Sequence, residues 1–162
     1  MTLLVVACSL TGLITSHLIA GLRERHRDRA LDEAPALDGW VGFGVLADFT
    51  EGRALIGAGA GGERIAVFRF KGRLSALSNV CSHQGGPVGE GKVVLGLVTC
   101  PWHGGQYRQE DGCSPPSFKE RIRKYRVRLQ GSRIWVDPVA LPLGTVVEAV
   151  AIPHKGGPLD PA

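Results

Sequence analysis

Two short segments of this 162-residue chain each place a cysteine close to a histidine. Cys81 is separated from His83 by one residue. Cys100 is separated from His103 by two residues, and sixteen residues lie between the two pairs. Thiolate and imidazole ligands together select iron–sulfur clusters, zinc or copper over magnesium or calcium. The spacing therefore predicts a metal centre that the two segments build jointly.

Glycine and proline are concentrated beside both pairs. The first pair is followed by Gly85, Gly86 and Pro87, and the second by Gly104 and Gly105. Glycine lets backbone N–H groups come close to an anionic group, because it has no Cβ and tolerates positive φ. Bridging sulfides need such donors, so the composition favours an iron–sulfur cluster. A structural zinc site is the alternative.

The two segments resemble the ligand boxes of Rieske iron–sulfur proteins. The first reads Cys-Ser-His-Gln-Gly-Gly-Pro at residues 81–87, and the second reads Cys-Pro-Trp-His-Gly at residues 100–104. The resemblance covers about residues 40–137 and implies a Rieske-type [2Fe-2S] cluster with two Cys and two His ligands. By that resemblance, Cys81 and Cys100 bind one iron, and His83 and His103 bind the other.

The resemblance also implies which residues surround the cluster and tune its potential. In the high-potential Rieske proteins of quinol-oxidising complexes, an extra cysteine in each box forms a disulfide, and a serine follows the second box. Gly86, Trp102 and Gly105 stand at those positions here, whereas the family's tyrosine is kept as Tyr107. We therefore expect a ferredoxin-type potential, below that of the quinol-oxidising class. The expected neighbours of the cluster are Gly86, Pro87, Trp102, Gly105, Tyr107, Pro115 and Pro116.

A loop after the second box resembles the proline loop that shields the cluster in the family. It reads Cys113-Ser-Pro-Pro116. Cys113 is interpreted as a bystander thiol, because the four ligands already satisfy a cluster.

The elements that position these loops have the patterns of short strands. Apolar and polar residues alternate at Tyr125, Val127 and Leu129, and helical periodicity is missing after residue 40. We predict an all-β fold of Rieske-like antiparallel sheets with a small cluster-binding subdomain. The glycine run at residues 57–62 is interpreted as a flexible turn, since it lacks the lysine and helix of a nucleotide-binding loop. The predicted strands are residues 41–45, 54–56, 63–70, 73–77, 124–129 and 133–136, with residues 93–99 joining the ligand loops around a turn at Gly96.

A membrane anchor is predicted before the folded domain. Residues 2–22 contain no acidic or basic side chain except His17, which is taken as neutral. A helix of this length is enough to cross one bilayer. Arginines at 23, 25, 27 and 29 follow, so the positive-inside rule places the domain on the cytoplasmic side of a bacterial-type inner membrane. A buried amphipathic helix, or the last helix of a longer multi-span redox protein, is the alternative. His17 is interpreted as a residue that reaches the interface or a neighbouring helix.

The predicted organisation has four parts. They are a transmembrane helix at 1–22, a basic flank and linker at 23–39, the Rieske [2Fe-2S] domain at 40–137, and a Pro-rich tail at 138–162 that runs extended over the surface or is partly disordered. The basic group from Arg121 to Arg128 is interpreted as the solvated face of a strand. It is not interleaved with aromatic residues for base stacking, so no nucleic-acid binding is expected.

The predicted function is electron transfer, as a membrane-tethered carrier or a redox subunit that serves a partner reductase, oxidase or oxygenase. No nucleophile with a base is recognisable, so we expect no catalytic residues. After His103 the only further histidine is His154, so we expect no mononuclear iron site in this sequence. The alternatives are a ferredoxin component of a Rieske-type oxygenase system, the C-terminal domain of a multi-span redox protein, and a colourless structural zinc module. The missing disulfide cysteines argue against a quinol-oxidising subunit.

Overall fold

The computed structural model describes residues 14–19 and 37–153. The chain divides into two compact units, Met1–Pro35 and Ala36–Ala162. In the first unit, residues 14–19 are α-helical and exposed. The predicted membrane segment at 2–22 otherwise lies outside the described residues. Among the residues that are described, no helix has the length and apolar character needed to cross a membrane.

The second unit is built of short antiparallel strands, as the alternation of apolar residues predicts. Among the described residues of this unit, three short 3₁₀ turns, at Leu46–Asp48, Ala60–Gly62 and Val88–Glu90, connect some of the strands. Within residues 37–153 the strands are β1 (Val41–Val45), β2 (Ala54–Ala58), β3 (Arg64–Phe70), β4 (Arg73–Ser78), β5 (Lys92–Val94), β6 (Leu97–Thr99), β7 (Gln106–Arg108), β8 (Lys124–Tyr125), β9 (Val127–Gln130), β10 (Arg133–Val136) and β11 (Val150–Ala151).

The strands form three sheets. One has the order β1-β10-β9, and another has the order β11-β4-β3-β2, with β8 also paired to β4. The third, smaller sheet has the order β5-β6-β7, and it holds the second ligand loop between β6 and β7. The predicted turns are present at Lys71-Gly72 between β3 and β4, and at Leu95-Gly96 between β5 and β6.

Strand β3 is buried on both faces, which explains its nearly continuous apolar sequence. Ile65 and Val67 point into one core cluster together with Phe43, Ile134 and Val136, which belong to the β1-β10-β9 sheet. Residues of the opposite parity, Ala66 and Phe68, point into a second cluster. That second cluster contains Cys81, Cys100 and Tyr107. The cysteines of the ligand loops are therefore anchored in an apolar core.

Two strand predictions need correction. Strand β2 extends to Ala58, through the first residues of the glycine run, because its backbone pairs with β3 as far as Arg64. The predicted strand 124–129 is two strands in different sheets: β8 pairs with β4, and β9 pairs with β10.

Lys124 was predicted to lie on a solvated face, and this is wrong. It is only 2% exposed, and its Nζ donates a hydrogen bond to the backbone oxygen of Gln109. Burial lowers the pKa of Lys124 to about 8, although the nearby Glu110 and Asp111 favour the charged form.

The described part of the C-terminal tail lies partly at the surface, where Val146 is exposed, and is partly packed into the domain. Strand β11 pairs with Leu74 and Arg73 of β4. Leu141 and Ile152 are buried, and Ile152 joins the core cluster of Phe43 and Ile134. The apolar residues near the end of the tail thus complete the larger sheet.

Candidate metal centre

The two ligand loops have the same backbone hydrogen-bond pattern. In the first, the N–H of Cys81 donates to the oxygen of Gly86, and the N–H of Gly85 donates to the oxygen of Cys81, at 2.9 and 2.8 Å. In the second, Cys100 donates to Gly105 at 2.8 Å, and Gly104 donates back to Cys100 at 3.1 Å. Each loop is therefore a tight turn that begins at the cysteine.

Glycine is required at the fourth position after each cysteine, where φ is +74° at Gly85 and +71° at Gly104. The glycines at the fifth position meet the opposite loop. A Cβ at Gly86 would lie 2.9 Å from the Sγ of Cys100 and 3.1 Å from the Trp102 ring. A Cβ at Gly105 would lie 3.6 Å from the Sγ of Cys81. The two turns thus pack against each other through their glycines and cysteines.

The two thiols are buried and interact with each other. Cys81 is 3% exposed and Cys100 is 1% exposed. Burial raises the pKa of Cys81, but hydrogen bonds from Tyr107 and from the backbone N–H of His83 outweigh it, so the pKa lies below its usual range. Burial raises the pKa of Cys100, and the neighbouring Cys81 raises it further. A hydrogen bond from the backbone N–H of Trp102 lowers it by less, so the pKa of Cys100 lies above its usual range. Of the two thiols, Cys81 therefore loses its proton more easily.

Tyr107 closes the inner side of the site. Its hydroxyl oxygen lies 3.0 Å from the Sγ of Cys81 and 3.2 Å from the Oγ of Ser82. Burial, reinforced by the hydrogen bond with Cys81, raises the pKa of Tyr107 to about 12. The phenol therefore keeps its proton at neutral pH and can donate a hydrogen bond to a thiolate.

The two imidazoles lie at the surface beside each other. His83 and His103 are both exposed, their ring centroids are 5.0 Å apart, and the rings are inclined at 80°. They border a cavity of about 250 Å³. The cavity is also lined by Gly104, Gly105, Gln106, Tyr107, Ser114, Phe118 and Glu120.

Some of the predicted neighbours of the site lie beside the buried cysteines, and Trp102 lies beside His103. Gly86, Gly105 and Tyr107 contact the cysteines, and Pro87 forms a β-bridge with Val80 at the base of the first loop. The Trp102 ring centroid is 6.4 Å from that of His103, and Trp102 is 59% exposed.

The proline loop, which begins at Cys113, was expected to lie beside the cluster site through Pro115 and Pro116, but other residues of this segment approach the histidines. Ser114, Phe118 and Glu120 line the histidine cavity, whereas Pro115 and Pro116 are not among the described residues that do so. Sequence reasoning missed Phe118 and Glu120, because nothing local marks them as neighbours of His83. Cys113 is half-buried, and its Sγ contacts the backbone oxygen of Asp111 at 3.8 Å.

The donor set fits a two-iron cluster. Soft thiolates and imidazoles are the ligands of iron–sulfur and zinc centres. Within residues 14–19 and 37–153, no three Cys, His, Asp or Glu side chains converge as ligands of a single ion. The donors come instead as one buried thiol pair and one exposed imidazole pair. In a two-iron cluster with mixed ligation, one iron binds two cysteines and the other iron binds two histidines.

Comparison with known proteins gives a family match over most of the second unit. The Rieske [2Fe-2S] domain family matches residues 39–126. The chain is similar to the anthranilate 1,2-dioxygenase ferredoxin subunit of Burkholderia cepacia, with 34% identity over 101 residues, which is 60% of this chain and 91% of that one.

Over a longer stretch, the chain is similar to a larger protein, the oxygenase component of 3-ketosteroid-9-alpha-monooxygenase from Mycobacterium tuberculosis. Identity is 32% over 125 residues, which is 76% of this chain and 30% of that protein. The chain thus spans about a third of the length of the oxygenase components that it matches.

Among solved structures, the fold is similar to that of the ferredoxin of carbazole 1,9a-dioxygenase from Nocardioides aromaticivorans IC177. The TM-score is 0.57 at 24% identity, and the match covers 62% of this chain and 98% of that one. This likeness supports the fold and the arrangement of the three sheets.

Proposed function

The chain belongs to the Rieske [2Fe-2S] domain family, and we propose that it passes electrons between protein partners as a component of a Rieske-type oxygenase system. Its cofactor is a Rieske [2Fe-2S] cluster, which supplies one-electron oxidation and reduction. The observation that carries the proposal is the division of the site: the thiols of Cys81 and Cys100 are buried, whereas His83 and His103 are exposed beside each other. This arrangement leaves the imidazole edge as the route for electrons.

The proposed ligand roles follow from that division. Cys81 and Cys100 would hold one iron of the cluster through their sulfur atoms, and His83 and His103 would hold the other through their imidazoles. Backbone N–H groups of His83 and Trp102 donate to the sulfur atoms of Cys81 and Cys100 respectively. Such hydrogen bonds stabilise negative charge on the sulfurs and favour the reduced state.

The oxygenase system is favoured as the setting because of the relatives. The ferredoxin subunit of anthranilate 1,2-dioxygenase aligns over nearly its whole length, and an oxygenase component aligns over most of this chain. The similarity to the ferredoxin subunit supports the alternative prediction from the sequence, a ferredoxin component of a Rieske-type oxygenase system, more than a membrane-tethered carrier.

The proposal is tested by electron paramagnetic resonance of the full chain reduced with dithionite. We expect the low average g-value of mixed Cys/His ligation, and loss of the signal in Cys81→Ser and His103→Ala. The reduced chain should then return about one electron per cluster to cytochrome c. A colourless protein with stoichiometric zinc, or an unchanged signal in both variants, would contradict the ligand assignment.

A second candidate is the Rieske domain of an oxygenase component, and the 125-residue alignment with the steroid monooxygenase component favours it. Such a domain receives electrons from a separate ferredoxin or reductase. The two candidates can be distinguished by measuring how NADH and a reductase reduce this chain, with and without an added Rieske ferredoxin. A carrier is reduced by the reductase directly, whereas an oxygenase-type domain needs the added ferredoxin.

Membrane attachment through residues 2–22, with the domain facing the cytoplasm of a bacterial-type inner membrane, remains a separate proposal. It is supported by the uncharged run and the four arginines that follow it. Carbonate extraction of membranes from cells that express the full chain tests it. Retention in the pellet supports the anchor, and release of the full chain contradicts it.

A further inference from the structure

We propose that the partner presents an acidic face with an apolar centre to the surface around the histidine pair. This inference rests on the proposed function, since it specifies the partner that meets the electron route. The surface concerned, called here the tip, comprises the exposed side chains around His83 and His103, in the histidine cavity and the three depressions beside it.

The centre of the tip is aromatic. Trp102 is 59% exposed and lies beside His103, and Phe118 is 67% exposed and lines the cavity that both histidines border. Ser117, the residue before Phe118, has φ of +84°, a conformation that non-glycine residues seldom adopt. Exposed aromatic side chains at the centre of a surface are typical of protein interfaces. The two rings therefore offer apolar contact beside the imidazoles.

The rim of the tip is basic. Two acidic side chains, Glu90 and Glu120, line the depressions. Five basic side chains line them as well, which leaves an excess of three positive charges. The five are Arg53, Arg64, Lys92, Lys119 and Arg121.

Ion pairing differs between this rim and much of the rest of the domain. Among the described residues, none of the five basic side chains of the rim has a carboxylate within 4.0 Å. Elsewhere in the described domain, five arginines are paired with carboxylates, whereas Arg128 and Lys71 lie over the rings of Trp40 and Phe70. The pairs are Arg69–Glu51, Arg73–Glu148, Arg108–Asp111, Arg123–Glu63 and Arg126–Asp137. The positive charge at the tip is therefore left for an external partner.

Unpaired charges of one sign around a contact surface accelerate association with a partner of opposite charge, and salt weakens the effect. An acidic partner would meet Lys119 and Arg121 in the depression that shares Glu120 with the histidine cavity, and Arg53 and Lys92 in the depression that shares Gly104 with it. A basic partner would be repelled.

The test uses the reduced, cluster-loaded full chain in a stopped-flow instrument with two protein oxidants of opposite charge. Plastocyanin has an acidic face, and cytochrome c has a basic face. Raising the ionic strength from about 0.02 to about 0.5 M should slow the reaction with plastocyanin about tenfold or more. The reaction with cytochrome c should stay constant or accelerate.

Variants locate the effect. The double variant Lys119→Glu, Arg121→Glu should slow plastocyanin reduction about tenfold at low salt, and Glu120→Gln should accelerate it. The double variant Lys71→Glu, Arg73→Glu is the matched control, because it changes the net charge by the same amount and both residues lie at the β3–β4 turn, at the opposite end of β4 from the first ligand loop. It should change the rate less than twofold or so. Unchanged cluster absorption in each variant confirms that the site is intact.

The outcomes separate the two proposals. If neither oxidant accepts electrons from the reduced chain, the proposed electron-transfer function fails. If both accept electrons, but the plastocyanin rate is independent of salt or the Lys119→Glu, Arg121→Glu variant matches the Lys71→Glu, Arg73→Glu control, the acidic-partner inference is overturned and the function stands.

Discussion

The hydroxyl oxygen of Tyr107 lies 3.0 Å from the Sγ of Cys81, although 26 positions separate the two residues in the chain. The contact forms because β7 carries Tyr107 from the second ligand loop back into the core cluster that contains Cys81. One strand thus connects the two loops and supplies a hydrogen-bond donor to a buried sulfur.

Removing this hydroxyl should lower the reduction potential. In Tyr107→Phe the reduced site, which carries more negative charge on sulfur, loses a donor and is destabilised more than the oxidised site. A differential loss of 1 kcal/mol corresponds to about 40 mV for a one-electron couple. A spectroelectrochemical titration measures the shift. An unchanged or raised potential would show that the Tyr107 hydrogen bond does not favour the reduced state.

Adding a hydroxyl at Gly105 should have the opposite effect. A Cβ there would lie 3.6 Å from the Sγ of Cys81 and 3.8 Å from the hydroxyl of Tyr107, so a serine fits without a clash. Gly105→Ser should raise the potential by some tens of millivolts, whereas Gly105→Ala should leave it nearly unchanged. The wild-type potential itself is expected below that of quinol-oxidising Rieske proteins. Equal shifts in the serine and alanine variants would refute a role for the added hydroxyl.

Gly86 is predicted to be essential for assembly of the site. In Gly86→Ala the new Cβ would lie 2.9 Å from the Sγ of Cys100, so that the thiol or the loop must move. Iron and sulfide content per chain should fall severalfold, while Gly105→Ala, with ordinary contact distances, retains the cluster. Iron and sulfide analysis after identical reconstitution measures this. Full occupancy in Gly86→Ala would mean that the second loop can shift freely.

Lys124 should make stability depend on pH. Its pKa is lowered to about 8 in the folded chain, compared with 10.5 for an ordinary lysine. Between those values the unfolded chain holds a proton that the folded chain has lost, so stability rises with pH across this window. Relative to Lys124→Met, the wild type should gain about 3 kcal/mol between about pH 7 and about pH 11.

Urea unfolding of wild type and Lys124→Met at several pH values gives the difference in the free energy of unfolding. All other titrating groups are shared by the two proteins, so they cancel to first order. A difference that does not change with pH would show that Lys124 is as well solvated as an exposed lysine.

The C-terminal strand should contribute measurably to stability. Ile152→Ala removes a buried side chain from the larger core cluster, and such truncations cost about 2–5 kcal/mol. Val146→Ala is the control, since Val146 is 73% exposed and the expected change is within about 0.5 kcal/mol. Urea denaturation compares the two variants. Equal, small effects would mean that β11 is not stably docked.

The sequence by itself determined the donor set, the turns that carry it and the all-β class. These features are local: the Cys and His spacing, the glycines that need positive φ at 85 and 104, and the alternation of apolar residues all act within a few positions. The hairpin turns at 71–72 and 95–96 are local in the same way.

Only the tertiary structure decided which distant residues complete the site and the core. The approach of Gly86 to Cys100, the contact of Tyr107 with Cys81, and the position of Phe118 beside the histidines all depend on how the sheets pack. The same holds for the burial of Lys124 and for the pairing of the tail with β4. These arrangements are set by the burial of apolar surface between segments far apart in the chain, which no short sequence pattern records.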